Sequence, residues 1–133
     1  RQWKQETCVP VITDLRKRSP DIDILVSGAP NEFDDVKEIV ALANDSHVHA
    51  WKGSVTELVA MIAGAHMLIS PDTATIHLAA AAGVPCTVLF AELIKVAEWY
   101  PYGVEFRGVL SADPSTVNAI PAHVIVNAAM ELI

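Results

Sequence analysis

Cysteine is nearly absent from the chain. Cys8 and Cys86 are too few for a disulfide scaffold and lack the paired spacing of a zinc site, so both are expected to be reduced and buried. Positive charge is scarce as well. Nine Lys and Arg against sixteen Asp and Glu give a formal charge of -7, which argues against non-specific binding to nucleic acid or anionic lipid. Five of the nine (Arg1, Lys4, Arg16, Lys17, Arg18) fall in the first eighteen positions, which leaves room for a local basic patch there. No apolar run approaches the roughly 18 residues of a membrane span, and no charged-then-apolar leader opens the chain. The patterns G-x-S-x-G, P-loop and H-E-x-x-H are missing, which removes the commonest hydrolase and NTPase signatures; G-x-G-x-x-G is missing too.

What is present is a globular composition, 52% hydrophobic and 19% charged over 133 residues, enough for one domain with a sizeable core. The reading is a soluble cytosolic domain. Strand-like and helix-like segments alternate at a period of about 22 residues. Thr7 is placed to cap a first helix with Pro10 in its first turn and Val11, Ile12 and Leu15 on one face. Residues 22–26 read as a strand entering the turn Ser27-Gly28-Ala29-Pro30, and Asn31 as the cap of a second helix with Phe33, Val36, Ile39, Val40 and Ala43 at helical spacing. His47 to Trp51 read as a short strand. Ser54 with Glu57 has the capping-box spacing for a third helix ending near Gly64. Met67 to Ile69 drive into the turn Ser70-Pro71-Asp72-Thr73, which opens an alanine-rich helix closing at Gly83. A buried strand follows at 86–90, then a loop with a short helix over 91–103, a last strand over 104–110, a helical turn over 114–117, and a terminal helix over 121–133 with Val124, Ala128 and Leu132 on one face. Because the strand runs are continuously apolar rather than alternating, the fold class is α/β: a Rossmann-like, mostly parallel sheet with helices on both faces.

Three constellations can carry chemistry. In residues 70–83, S-P-D-T-A-T-I-H-L-A-A-A-A-G, the side chains of Asp72 and Thr73 and the first-turn amides form an anion site within reach of His77, one turn in. The plain alternative is an ordinary N-cap with a core histidine. Gly28 follows a strand in the way that dinucleotide folds approach a phosphate, though the glycine also fits a plain turn; Glu32 there can accept both hydroxyls of a ribose, although it also fits a solvated first-turn acid. His47 and His49 share a strand face as a conceivable metal pair, but no third ligand lies nearby in sequence and no metal site is assigned. His66 and His123 carry no argument.

With these residues in view, the chain resembles the carboxyl-terminal half of the family-nine glycosyltransferases, the ADP-heptose:lipopolysaccharide heptosyltransferases. The family motif S-x-D-T-G-x-x-H-L-A-A-A-x-G-x-P is matched by Ser70, Asp72, Thr73, His77, Leu78, Ala79 to Ala81, Gly83 and Pro85. Phe90 and Pro101-Tyr102-Gly103 follow it, and Trp3, Gly28 with Glu32, Gly53-Ser54, Glu57-Leu58 and Ala63-Gly64-Ala65 precede it. Two positions depart: the glycine after Asp-Thr is Ala74, and the family's F-G-P-T is Phe90-Ala91-Glu92-Leu93.

The resemblance implies a GT-B architecture in which residues 1–133 are the donor-binding, Rossmann-like domain and an amino-terminal acceptor domain lies outside this sequence. It implies a nucleotide-sugar donor, ADP-linked, with no further cofactor. Asp72, Thr73 and the amides of Ala74 and Thr75 would meet the diphosphate, supported by His77. Glu32 beside Gly28 would hold the ribose hydroxyls, and the backbone of Trp51, Lys52 and Gly53 would read the base edge. No catalytic residue is expected in this chain, so it would be inactive alone. A lipid-linked saccharide acceptor would dock on the missing domain, and the full protein would be cytoplasmic, peripheral at the inner face of a bacterial inner membrane. The alternatives are a GT-B enzyme with a different sugar-nucleotide donor and a non-catalytic module that kept a degenerate pocket as a scaffold or partner-binding surface.

Overall fold

The computed structural model describes residues 3–92, 95 and 103–133. Among the described residues are five α-helices, α1 (Gln5–Arg18), α2 (Phe33–Ala43), α3 (Val55–Ala63), α4 (Ala74–Ala81) and α5 (Ala122–Met130), and five strands, β1 (Ile24–Val26), β2 (Val48–Ala50), β3 (Leu68–Pro71), β4 (Cys86–Phe90) and β5 (Phe106–Leu110), with helix and strand alternating as far as β4. Every pairing is parallel. The strands form two sheets, one of β1 and β2 and one in the order β3-β4-β5.

Strand β4 is buried at all five positions, which is why its run C-T-V-L-F shows no alternation. Cys86, Val88 and Phe90 face α3 and α4 with Ile62, Ile76 and Ala79. Leu89 points the other way, joining Val109 of β5, Val11 and Leu15 of α1, and Ile125, Val126 and Ala129 of α5. A third cluster, Cys8, Ile12, Ile39, Ala43 and Val48, seals α1 and α2 onto β1 and β2. The chain thus has helices on both faces of parallel strands, as read from the sequence. Both cysteines are free and buried, and burial pushes the thiols up, Cys8 to about 12 and Cys86 to about 11.

Local chemistry explains where the helix limits differ from the expected ones. The cap of α1 is Lys4, not Thr7, so Pro10 lies inside the helix rather than in its first turn. Asn118 Oδ1, distant in sequence, accepts the Lys4 N–H at 2.8 Å and the Thr7 hydroxyl at 2.6 Å, which ties the start of the helix to the segment before α5. Asn31 does not cap α2 either. Pro30 starts a 3₁₀ turn over Pro30–Glu32, and Glu32 is the residue before the helix. Ser54 and Glu57 do form the expected capping box on α3, at 2.8 and 3.1 Å. In α5 the buried positions are Ile125, Val126 and Ala129, whereas Val124 is exposed. That helix is apolar on more than one side, so spacing alone could not choose its inner face. The loop and short helix expected over 91–103, with Trp99 and Tyr100, fall almost wholly outside the described residues.

Arg16 ties the end of α1 to the starts of β1 and β2. Its guanidinium donates to Asp45 Oδ2 at 2.9 Å, to Ile22 O at 3.0 Å and to Pro20 O. The His47 N–H, and after it Arg16, hold the Asp45 carboxyl below its usual range. A depressed pKa contributes stability that is fully present above the unfolded value and is lost as pH falls through the folded one. Asp45→Asn is therefore expected to flatten the acid limb of a stability-versus-pH curve followed by urea unfolding below pH 5; an unchanged limb would assign the acid sensitivity to other carboxylates. Ile76, fully buried under β4, is expected to cost about 2–5 kcal/mol as Ile76→Ala in the same experiment.

Candidate functional site

Strand β3 delivers Ser70 and Pro71 to a turn whose geometry is set by the neighbouring strand. The Asp72 N–H continues the ladder, donating to Leu89 O at 3.2 Å, so Asp72 stands at the carboxyl end of the sheet. Thr73 then adopts an extended backbone (φ -133°, ψ 174°) and α4 begins at Ala74. The Thr73 hydroxyl does not cap the helix. The Ile76 N–H turns back to Thr73 O at 3.2 Å, and the helix start leaves the Ala74 and Thr75 amides without intrahelical acceptors.

The Thr73 hydroxyl instead closes a triangle with two others. Ser70 Oγ lies 3.1 Å from Thr73 Oγ1 and 3.0 Å from Thr75 Oγ1, and the two threonine oxygens are 2.7 Å apart. Ser70, 7% exposed, also donates to Pro71 O at 2.8 Å. With the Ser70 proton on Pro71 O, the two rotatable threonine hydroxyls beside two helix amides make a set of hydrogen-bond donors suited to an anion. From the sequence Thr75 offered only its amide and Ser70 no role at all. The spacing S-x-x-T-x-T was the available signal, but it becomes meaningful only once the strand-to-helix turn folds the three side chains together. His77 lies on the exposed side of α4, so it is not the core histidine of the plain reading.

Ala74, which stands where the family motif has glycine, is the first residue of a right-handed helix. Among the described residues Asn44 is the one non-glycine with positive φ, so position 74 makes no demand for glycine's backbone freedom. Gly83, at φ 76°, does make that demand where α4 ends.

The second cluster lies at the carboxyl ends of β1 and β2. Glu32 turns back to accept the Ala29 N–H through Oε1 at 2.8 Å, which leaves its other oxygen for a ligand. Gly28 permits this fold: a Cβ there would come within 3.2 Å of both Glu32 Oε1 and Val36 Cγ2. The Trp51 N–H donates to Val26 O at 2.9 Å, joining the ends of the two strands. The Trp51 ring lies over Gly53, where a Cβ would approach it to 2.8 Å. Lys52 reaches across to α2, with Nζ 5.1 Å from the centroid of the Phe33 ring, and Lys37 sits 5.3 Å from the same centroid. The structure thus gathers Gly28, Glu32, Trp51, Lys52 and Gly53 at one place and Asp72, Thr73, Ala74, Thr75 and His77 at another. Phe33 carries two cations.

His47 and His49 both approach Asp23 Oδ1, at 3.1 and 3.5 Å. A depression of about 530 Å³ lies away from both clusters, between β5 and α5, and contains none of these residues. No described helix is long and apolar enough to cross a membrane.

Comparison with solved structures finds the same fold. The chain is similar to the E. coli heptosyltransferase WaaC with ADP (TM-score 0.85, 22% identity, 99% of this chain and 40% of that chain). It is likewise similar to WaaC with ADP-2-deoxy-2-fluoro heptose (0.79, 23%, 99% and 39%). A glycosyl transferase family 9 protein from Veillonella parvula DSM 2008 matches as well (0.80, 17%, 98% and 41%). The chain therefore spans about 40% of the length of these relatives. No curated protein matches it in sequence. Residues 2–119 match the profile of Glycosyltransferase family 9 (heptosyltransferase). The chain, a parallel α/β domain with the fold of these heptosyltransferases, belongs to glycosyltransferase family 9.

Proposed function

We propose that residues 1–133 are the donor-binding domain of a transferase that moves heptose, or a similar sugar, from an ADP-linked donor to a lipopolysaccharide-type acceptor with inversion. The observation that carries this reading is the hydroxyl triangle at the start of α4, set beside the amides of Ala74 and Thr75. Donors arranged in this way suit the oxygens of a diphosphate. The carboxylate of Asp72 requires the phosphates to sit on the hydroxyl and amide side of the turn, with His77 supporting them from the exposed face of the helix. Glu32 then takes the ribose hydroxyls through the oxygen that Ala29 does not use, while Trp51 to Gly53 bracket the base. The relatives that contain ADP or an ADP-heptose analogue support the choice of nucleotide.

In transfer, an acceptor hydroxyl attacks the anomeric carbon from the face opposite the departing nucleoside diphosphate, and the bond to the diphosphate oxygen breaks. The share of these residues is to stabilise the charge that builds on that leaving group, with donors already in position. The base that takes the hydroxyl proton and the surface that holds a lipid-linked saccharide belong to the amino-terminal domain, in a protein working at the inner face of a bacterial membrane.

Calorimetric titration with ADP, UDP and GDP tests the reading. ADP is expected to bind, and binding is expected to vanish in Glu32→Ala. Thr73→Val should weaken it by about 1.5–3 kcal/mol, tenfold or more in Kd, because a hydrogen bond to a charged group is lost. Silence from all three nucleotides at millimolar concentration would instead favour a module that keeps the fold as a scaffold. With an ADP-heptose donor the chain alone is expected to transfer no sugar.

A further inference from the structure

Strand β5 is paired with β4 alone and forms one edge of its sheet. In a parallel ladder, successive residues direct their N–H and C=O groups to alternate sides. The Cys86 N–H donates to Glu105 O and the Ser111 N–H to Phe90 O, so Arg107 and Val109 also face β4, whereas Phe106, Gly108 and Leu110 face outward. The Phe106 carbonyl accepts from the Arg107 guanidinium at 3.1 Å. The outward groups of Gly108 and Leu110 have no hydrogen-bond partner among the described residues, and Leu110 is 46% exposed. An open edge of this kind is a template for pairing with another chain.

Helix α5 shapes the space beside that edge. Its Ile125, Val126 and Ala129 share a cluster with Leu89 of β4 and Val109 of β5, so the helix straddles the two strands. Its outer flank, with Val124 (37% exposed) and Ala128, lines the depression of about 530 Å³ together with the edge of β5. Glu131 accepts from Arg107 Nε at 3.0 Å, which sets the end of α5 beside the start of β5 and leaves His123 toward Leu110. Glu105 and Glu131 both pair with Arg107, so that end of the groove is net negative.

We propose that this edge and flank form an interface between two copies of the chain, with β5 antiparallel to β5 about a two-fold axis through Val109. Gly108 of one copy and Leu110 of the other then exchange their free N–H and C=O groups, while the Phe106 carbonyl keeps its bond to Arg107. The helices fit the same axis. Because α5 straddles β4 and β5, its copy lies two strand spacings away, about 10 Å, which is a packing distance for helices. From Arg107 to Val109 the strand covers about 6.6 Å, the rise of about four helical residues, so the axis is level with Asn127, midway between His123 and Glu131. The two antiparallel helices therefore set His123 of one copy against Glu131 of the other, with Val124 and Ala128 of both filling the groove between them. Two-fold symmetry keeps the net negative ends apart. The nucleotide clusters do not border this groove, and the test requires no nucleotide.

Sedimentation equilibrium at submillimolar concentration is expected to find monomer and dimer in exchange, and the Gly108 and Leu110 amides to exchange hydrogen more slowly as concentration rises. His123→Glu sets an acid against Glu131 of the other copy, and Leu110→Lys blunts the edge. Each is expected to raise the dimer Kd about tenfold or more while leaving urea unfolding of the monomer unchanged. Helices about 10 Å apart bring facing Cα atoms within disulfide reach. Ala128→Cys is therefore expected to give a linked dimer on mild oxidation, and Val55→Cys, on the exposed side of α3, to give none; Cys8 and Cys86 are buried and do not compete. A chain that stays monomeric would overturn the proposal. So would a dimer that survives both substitutions and links no better through Ala128→Cys than through Val55→Cys, since it would be joined at another surface.

Discussion

The packing of α1 across two half-sheets is the contact on which the rest of the fold depends. No backbone ladder joins β1 to β3, so the relation between the two groups of strands is held by side chains: Val11 and Leu15 toward one group, Cys8 and Ile12 toward the other. Side-chain packing of this kind is sensitive to shape, and interior volume is felt at the level of a single methylene. Arg16 adds a polar anchor at the far end of the same helix, bonding the loops that enter β1 and β2. Both proposed halves of the binding site, the Glu32 cluster and the Ser70–Thr75 turn, inherit their positions from this one helix.

The chemistry of the α4 turn is in turn a product of strand pairing. Because the Asp72 N–H is engaged by Leu89, the chain stays in register with β4 one residue beyond β3 and must then break sharply into a helix. The break leaves two amides outside any ladder and folds three hydroxyls onto each other. The proposed phosphate site is thus a by-product of how parallel sheets end, the edge at which ligands so often gather.

Much of this was legible along the chain because local rules were obeyed. Ser54 and Glu57 formed their capping box, β4 read as fully buried and is, and Gly83 ended α4 in the left-handed conformation that its position demands. What stayed hidden was set by residues far apart in sequence. Asn118 engages the hydroxyl of Thr7, the residue expected to cap α1; Glu32 folded back on Ala29 and the helix starts beyond Asn31; Lys52 crossed to Phe33. In α5 the ambiguity was intrinsic, since apolar residues lie on several sides and only the positions of β4 and β5 decide which of them are covered. Ala74 shows the reverse: a departure from the family motif that looks serious in one dimension occupies a helical position where alanine is as comfortable as glycine.

The hydroxyl triangle has a further consequence for how this turn would respond to a ligand. Serine and threonine hydroxyls and backbone amides do not titrate near neutrality, so a cradle built from them keeps the same charge and the same donors over a wide pH range. Ser70 spends its proton on Pro71 O, so the hydroxyl protons within the triangle are those of Thr73 and Thr75, and each can swing outward by rotation about a single C–O bond. Taking up an oxyanion would then exchange one hydrogen-bonded network for another of similar size, with the backbone left where the β3–β4 ladder holds it.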